Sequence, residues 1–530
     1  MPTDCINYQN SGYFTALIRD YLDQKQNIQS LYHRFPTLEN FKGQMEEKQA
    51  NFDNAHREVL VSVLQKQYEK ISTSDLTKKN IESLARPNTF TITTGHQLNL
   101  FTGPLYFLYK IISTINLSKE LKAKYPTCDF VPIYWMATED HDFEEINYFI
   151  FKGKKFRWNT SSSGPVGRLS TKGLEDVFEV FAKEIGSSNA ANEIKTLFEE
   201  SYLHHDTLAG ATRFLANSLF KEYGLIILDA DTPKLKQEFI PYIKEELLFQ
   251  NANQLVLETT KQLHEYSIQV NPREINLFYI EDDLRERIIL ENGFYKVNNT
   301  KIQFSETEIL SELENHPEKF SPNVILRPLY QEVILPNLCY IGGGGEIAYW
   351  LELKSLFEAS KITFPILLLR NSALLITEKQ AKKTDKLMLE WKDLFSKQND
   401  LLNERTRTLS EFPIDLSIQK EQLKNQFSYL YSVAHQTDKS FSGAVKAQEA
   451  KQIKGLENLE KRLLKAQKRK LHDELERIAE LQNELFPNQS LQERQSNFSE
   501  FYLENGTKLI PILIHKLKPL ETNFDIIGVS

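Results

Sequence analysis

From Thr89 onward the chain alternates short β-rich runs with helical segments, and that alternation restricts the fold more than any other feature. TFTITT (89–94), FVPIYWMAT (130–138), LIILDA (225–230) and FPILLL (364–369) are apolar and rich in β-branched and aromatic residues. Such runs, separated by helices, imply an α/β fold with a doubly wound parallel sheet. The first two are joined by 104–124, read as one amphipathic helix with few breakers, so a right-handed βαβ unit is the economical interpretation. The later runs lie much farther apart, which requires insertions at about 150–220 and about 250–320. In the second of these, INLFYIEDDLRERIILENGFYKV has the texture of antiparallel strands.

The flanks of this 86–371 core read differently. Residues 1–85 are expected to be helical, with Phe14, Leu17, Ile18, Tyr21 and Leu22 at a 3.6-residue period. Beyond Arg370 the chain turns charged and Gly-poor. Leu387, Leu394 and Leu401, then Met388, Phe395 and Leu402, and later Leu464, Leu471, Ile478 and Leu485 recur every seventh position, the mark of coiled-coil seams. The domain 372–486 is therefore expected to be a coiled coil. Pro413 and DKSFSG (438–443) interrupt the seams, which predicts an antiparallel helical hairpin that pairs chains into a homodimer or serves as an intramolecular arm. The tail 487–530, with LQER (491–494) and LIPILIHKL (509–517), is expected to return to the core.

Composition excludes several functions. Acidic residues outnumber basic ones 72 to 64, a formal charge of −8, so no global field recruits nucleic acid or anionic lipid. No run approaches the roughly 18 apolar residues of a membrane span, and the opening MPTDCINYQN has neither the basic nor the apolar region of a secretion signal, so the expected location is cytoplasmic. Cys5, Cys128 and Cys339 are far apart without CxxC spacing, which argues against a disulfide framework and a zinc ribbon. Any thiol chemistry here belongs to the substrate.

Three motifs carry candidate chemistry, since ligands of open parallel sheets bind beyond the carboxyl ends of strands. In TTGHQLNLFTGPLYFLYK (93–110) a strand end leads through Gly95, His96 and Gln97 to a helix start at Thr102-Gly103-Pro104, a candidate anion seat that Lys110 reaches only by folding back. A well-capped helix with a solvated lysine is the plainer alternative. In WMATEDHDFEEIN (135–147) the ionisable residues Glu139, Asp140, His141 and Asp142 follow a strand directly and are costly to desolvate without a compensating cation, amine or metal. Asp140, His141 and Asp142 suit a divalent metal, or a carboxylate holds a substrate ammonium while His141 acts as base; an acidic helix start is the alternative. The glycines Gly342–Gly345 with Glu346 formally contain GxGxxA but lack an opening βαβ context. They suit backbone approach to a ribose, phosphate or sugar, or a plain capping turn. Arg327 and Arg370, read at or near strand ends, suit carboxylate or phosphate recognition or structural ion pairs.

TTGHQLNLFTGPLYFLYKIIS, FVPIYWMATEDHDFEEIN, the GGGGEIAYW run and LQER together resemble the cysteine ligase family of bacillithiol biosynthesis (BshC), in order and over most of the chain. The resemblance implies a Rossmann-like core with two connecting-peptide insertions, a dimerising coiled coil, and ligation of L-cysteine to the amino group of glucosaminyl malate. It further implies ATP-type activation, with Mg2+ as its usual companion, because amide formation from a free carboxylate is uphill in water. On that implication His96 and the Thr102-Gly103 turn hold triphosphate with Gln97 and Lys110 near, and Asp140, His141 and Asp142 beside Glu139 position cysteine or the sugar amine, with His141 as base. Arg327 or Arg370 clamps malate, and Gly343, Gly344 and Glu346 line the substrate. A lysine-rich KMSKS-type loop does not follow the last core strand; DKSFSG is a faint echo within the helical arm. The competing functions are a nucleotidyltransferase or metal-dependent hydrolase on the same fold, and a nucleotide-sensing scaffold.

Overall fold

Five strands form one parallel sheet in the computed structural model, which describes residues 4–529. They are β1 (Thr89–His96), β2 (Asp129–Met136), β3 (Ile226–Asp229), β4 (Asn337–Gly342) and β5 (Ile366–Leu369), in the order β5-β4-β1-β2-β3. Every residue of β1 is buried, as a strand covered on both faces requires. β1 and β2 pair in register from Thr89↔Asp129 to His96↔Met136, so the first two motifs leave the sheet side by side.

β4 is not among the strands expected from sequence, where 337–345 shows only a glycine run without βαβ context. Its opening residue, Asn337, reads as a loop signal. In the sheet its Oδ1 accepts the hydroxyls of Thr93 (2.8 Å) and Thr91 (3.2 Å) on β1, so a polar residue satisfies buried threonines. The strand order reverses between β1 and β4, which makes their carboxyl ends the topological switch point.

The helix after β1 spans Tyr106–Lys124, two residues beyond the expected proline start. It is buried nearly all round from Phe107 to Ser118 rather than amphipathic. Ser113, Thr114 and Ser118 survive there because each hydroxyl donates to the carbonyl four residues back. The first insertion holds a hairpin (Tyr148–Phe151 with Lys154–Arg157) and three helices between 174 and 220. The second forms an antiparallel sheet containing Leu277–Glu281, Leu284–Glu291 and Phe294–Val297. Ahead of the core, helices dominate as expected, but Asp4–Asn7 is a strand. It pairs with the tail strand Asn523–Gly528, which also lies parallel to Ser372–Ile376.

Residues 377–491 form a second compact unit, within which the helices Ser417–Ala434 and Lys439–Lys470 form a hairpin around Phe427, Ala434 and Val445. The first proposed seam is not one helix. Leu387, Leu394 and Leu401 are buried, yet they fall on separate elements, and Met388 is 69% exposed at positive φ. New helix starts at Glu390 and Lys397 reset the phase, which seven-residue spacing does not register. The DKSFSG echo is a helix cap: Asp438 accepts the N–H groups of Ser440 and Phe441. Among the described residues, no helix is long and apolar enough to cross a membrane.

Candidate functional site

A cleft of about 890 Å³ opens at the switch point, lined by the ends of β1, β2 and β4 and by the second insertion. Lys110 does fold back. From the second turn of its helix it donates to the Gly95 carbonyl (2.8 Å) and pairs with Glu346 (2.5 Å). Burial lowers the lysine's pKa against the pull of Glu346, while Glu346, which burial would raise, is held down by Lys110. Glu346 also accepts Tyr340 Oη and the N–H of Gly343, both at 2.8 Å. The Gly343 amide is therefore covered by its own capping box, leaving Gly344 and Gly345 as first-turn amides.

His96 is buried against Tyr106 and Phe107. Its Nδ1 lies 2.7 Å from the Gln97 carbonyl, which only accepts, so Nδ1 carries the hydrogen and Nε2 is a bare acceptor without a partner among the described residues. Burial, with Lys110 nearby, pushes its pKa down to about 3. A neutral ring with a bare Nε2 does not supply the positive charge that the triphosphate role needs.

The acidic motif divides its labour. Glu139 pairs with buried Lys236, which also donates to the Phe320 carbonyl; burial raises the carboxyl and the lysine opposes that. Asp140, which burial would raise, is held at about 2 by hydrogen bonds with His141 and Gln97 and by the charge of Arg285. The Arg285 guanidinium contacts His141 Nδ1 and stacks over Phe278, 3.9 Å from its centroid. Because a guanidinium only donates, the Nδ1 lone pair faces Arg285 in this arrangement, so the base role expected of His141 requires that contact to open. Asp142, half exposed, makes no hydrogen bond through its carboxylate among the described residues and stands 4.0 Å from His141 Nε2; burial and Asp140 raise its pKa. The donor atoms of Asp140, His141 and Asp142 lie within 4.8 Å of one another, but Arg285 supplies the positive charge that a metal would bring.

Arg327 sits on the helix Leu326–Ile334 rather than at a strand end. It donates to Gln331 (3.1 Å) and to Tyr349 Oη (3.1 Å) and has no carboxylate within 4 Å among the described residues. Arg370 does end β5, yet its guanidinium is spent on buried Glu493 of LQER (2.7 Å), with only Nε left unpartnered.

Of the residues singled out by sequence, Thr102, Gly103 and Pro104 of the turn, and Gly342 at the end of β4, do not line the cleft. Phe101, Thr102 and Gly103 all have positive φ, and the turn they make is buried. Asn497 Nδ2 donates to the carbonyls of Phe101 and Gly103 (2.7 Å each), tying the turn to the tail. A Cβ at Gly103 would lie 2.7 Å from that of Asn99, so glycine is needed for packing and not for a ligand. The sequence reading missed Lys236 and the cleft arginines Arg273, Arg285, Arg287 and Arg494. The available signal was LRER on a hairpin strand, where alternate residues share a face.

Family models match the chain in two parts: the BshC N-terminal Rossmann-like domain over residues 1–371 and the BshC C-terminal coiled-coil domain over 373–529. A chain of Flavobacterium johnsoniae is 71% identical over the whole of both proteins, and one of Flavobacterium psychrophilum is 65% identical over 99% of each. One of Bacillus cereus is 29% identical over 94% of this chain and 96% of its own. Each carries the name "Putative cysteine ligase BshC".

Proposed function

The chain belongs to the BshC family of bacillithiol biosynthesis, and from that premise we propose that it joins the carboxyl of L-cysteine to the amino group of glucosaminyl malate after ATP-type activation. The carrying observation is one cleft that offers an uncommitted carboxylate, Asp142, within reach of cations that lack carboxylate partners. A substrate with an ammonium and a dicarboxylate matches both. In the ligation step the amine nitrogen bonds to the activated carbonyl carbon, the C–O bond to the phosphate or AMP breaks, and the amine proton passes to Asp142. His96 accepts a hydrogen bond from a substrate donor. The helix start at Gly344 faces the triphosphate, with Lys110 held behind it by Glu346. Arg327, and not Arg370, clamps a malate carboxylate.

Incubating the pure protein with cysteine, glucosaminyl malate, ATP and Mg2+ under reducing conditions is expected to yield bacillithiol with AMP or ADP by mass spectrometry. Absence of product sinks the ligase reading, and metal dependence without ATP dependence favours a hydrolase. Three free cysteines suit a reducing compartment, so we assign the reaction to the cytosol. We also infer pairing of two chains through the helical hairpin, whose exposed Ile418, Tyr429 and Leu459 are the apolar surface to bury. Light scattering is expected to report a dimer that charged substitutions at these three positions dissociate.

A further inference from the structure

The second insertion adds something the acidic motif and the switch point do not. Arg285 and Arg287 are two residues apart on the strand Leu284–Glu291, so their side chains leave the same face about 7 Å apart. Arg285 meets His141 on that face, and both arginines line the cleft. Arg273 joins them from the preceding segment, which buried carboxylates hold at both ends. Glu352 accepts the N–H groups of Gln269 (2.7 Å) and Val270 (3.3 Å), and Glu246 accepts the N–H and the Nδ2 of Asn276 (2.8 Å each).

Among the described residues, no carboxylate lies within 4 Å of the guanidinium of Arg273, Arg285 or Arg287, and Arg285 Nε is buried without any partner. Elsewhere on the cleft the cations Lys110 and Arg370 are neutralised by Glu346 and Glu493. Arg285 feels Asp140 and Glu139 at longer range, but no acid pairs directly with the three guanidinium groups, so an arriving anion meets unneutralised positive charge at Arg273 and Arg287. We propose that Arg273 and Arg287, beside Arg285, form a dicarboxylate subsite that holds the malyl end of the amine-bearing substrate; this rests on the ligase reading above. A nucleotide triphosphate shares the anionic chemistry but carries no ammonium, whereas this wall stands next to Asp140 and Asp142, which suit one. An amine held at the acids thus directs the carboxylates of the same molecule to the arginines.

The test is the double variant Arg273→Ala/Arg287→Ala. Both side chains are exposed, so its unfolding midpoint is expected to stay at the wild-type value. In steady-state assays the KM for glucosaminyl malate is expected to rise at least about tenfold with kcat within about twofold, and the KM values for cysteine and ATP to stay put. An unchanged KM for glucosaminyl malate, or a rise confined to ATP, overturns the subsite. A second arm needs no turnover: L-malate titrated into the wild-type protein is expected to bind in a salt-sensitive way, with binding lost in the variant and with glucosamine as the comparison lacking carboxylates. Malate binding of that kind in a protein that makes no bacillithiol keeps the subsite and removes the ligase reading. Malate that fails to bind the wild-type protein overturns the subsite.

Discussion

The two sides of the cleft treat charge in opposite ways. At the switch point each buried cation has its acid, Lys110 with Glu346 and Arg370 with Glu493. Across the cleft Arg273, Arg285 and Arg287 have none within 4 Å among the described residues, and the half-buried Arg327, at the switch point over Trp135 and Tyr340, is in the same position. A pair buried by the protein is part of the scaffold, since its members are fixed before any ligand comes. Cations left without acids are held for something outside the chain. Conspicuous charge in a sequence therefore does not by itself mark the binding groups.

The largest effect is expected where a paired cation is removed. Lys110→Met leaves the partly buried Glu346 without its cation and is expected to cost about 2–3 kcal/mol in denaturant unfolding, much of it recovered by adding Glu346→Gln. At the unpaired Arg327 the change Arg327→Ala is expected to shift unfolding by less than about 1 kcal/mol while weakening glucosaminyl malate binding by about 2 kcal/mol in calorimetry. Equal stability losses at Lys110 and Arg327 would erase the distinction.

A smaller effect sharpens it through pH. Glu352 is a buried carboxyl whose hydrogen bonds come from backbone N–H groups, and burial raises its pKa to about 7. Protons bound by the folded chain but not the unfolded one stabilise it at low pH, so this contribution is lost as pH rises from about 4.5 to about 7. Glu352→Gln is expected to flatten the pH dependence of stability there by up to about 1.4 kcal/mol per pH unit. Glu500 and Asp525, also raised to about 7 by burial, keep part of the slope. The smallest effect belongs to the helical hairpin. Asp438→Ala is expected to cost about 1 kcal/mol as a lost cap and to leave ligation rates unchanged, whereas a loss of activity would revive DKSFSG as a catalytic loop.

Four of the five core strands were legible because their β-branched and aromatic runs are local. β4 was not: its place depends on Asn337 meeting Thr91 and Thr93 about 245 residues away, a pairing that no window of sequence contains. The heptad count misled for a related reason, since periodicity in apolar residues is blind to the helix starts at Glu390 and Lys397 that interrupt it.

At the site, residue types and spacing were enough to identify the two motifs that leave β1 and β2, because each motif is contiguous and its strand carries it to the sheet's edge. Tertiary structure alone decided their roles. It turned Thr102 and Gly103 into the tail and spent Arg370 on Glu493. It set Arg285 against the His141 lone pair and left Asp142 uncommitted. The physical reason is that a charged group's function depends on which counter-charge and how much water surround it, and here those neighbours arrive from insertions and a tail more than a hundred residues distant.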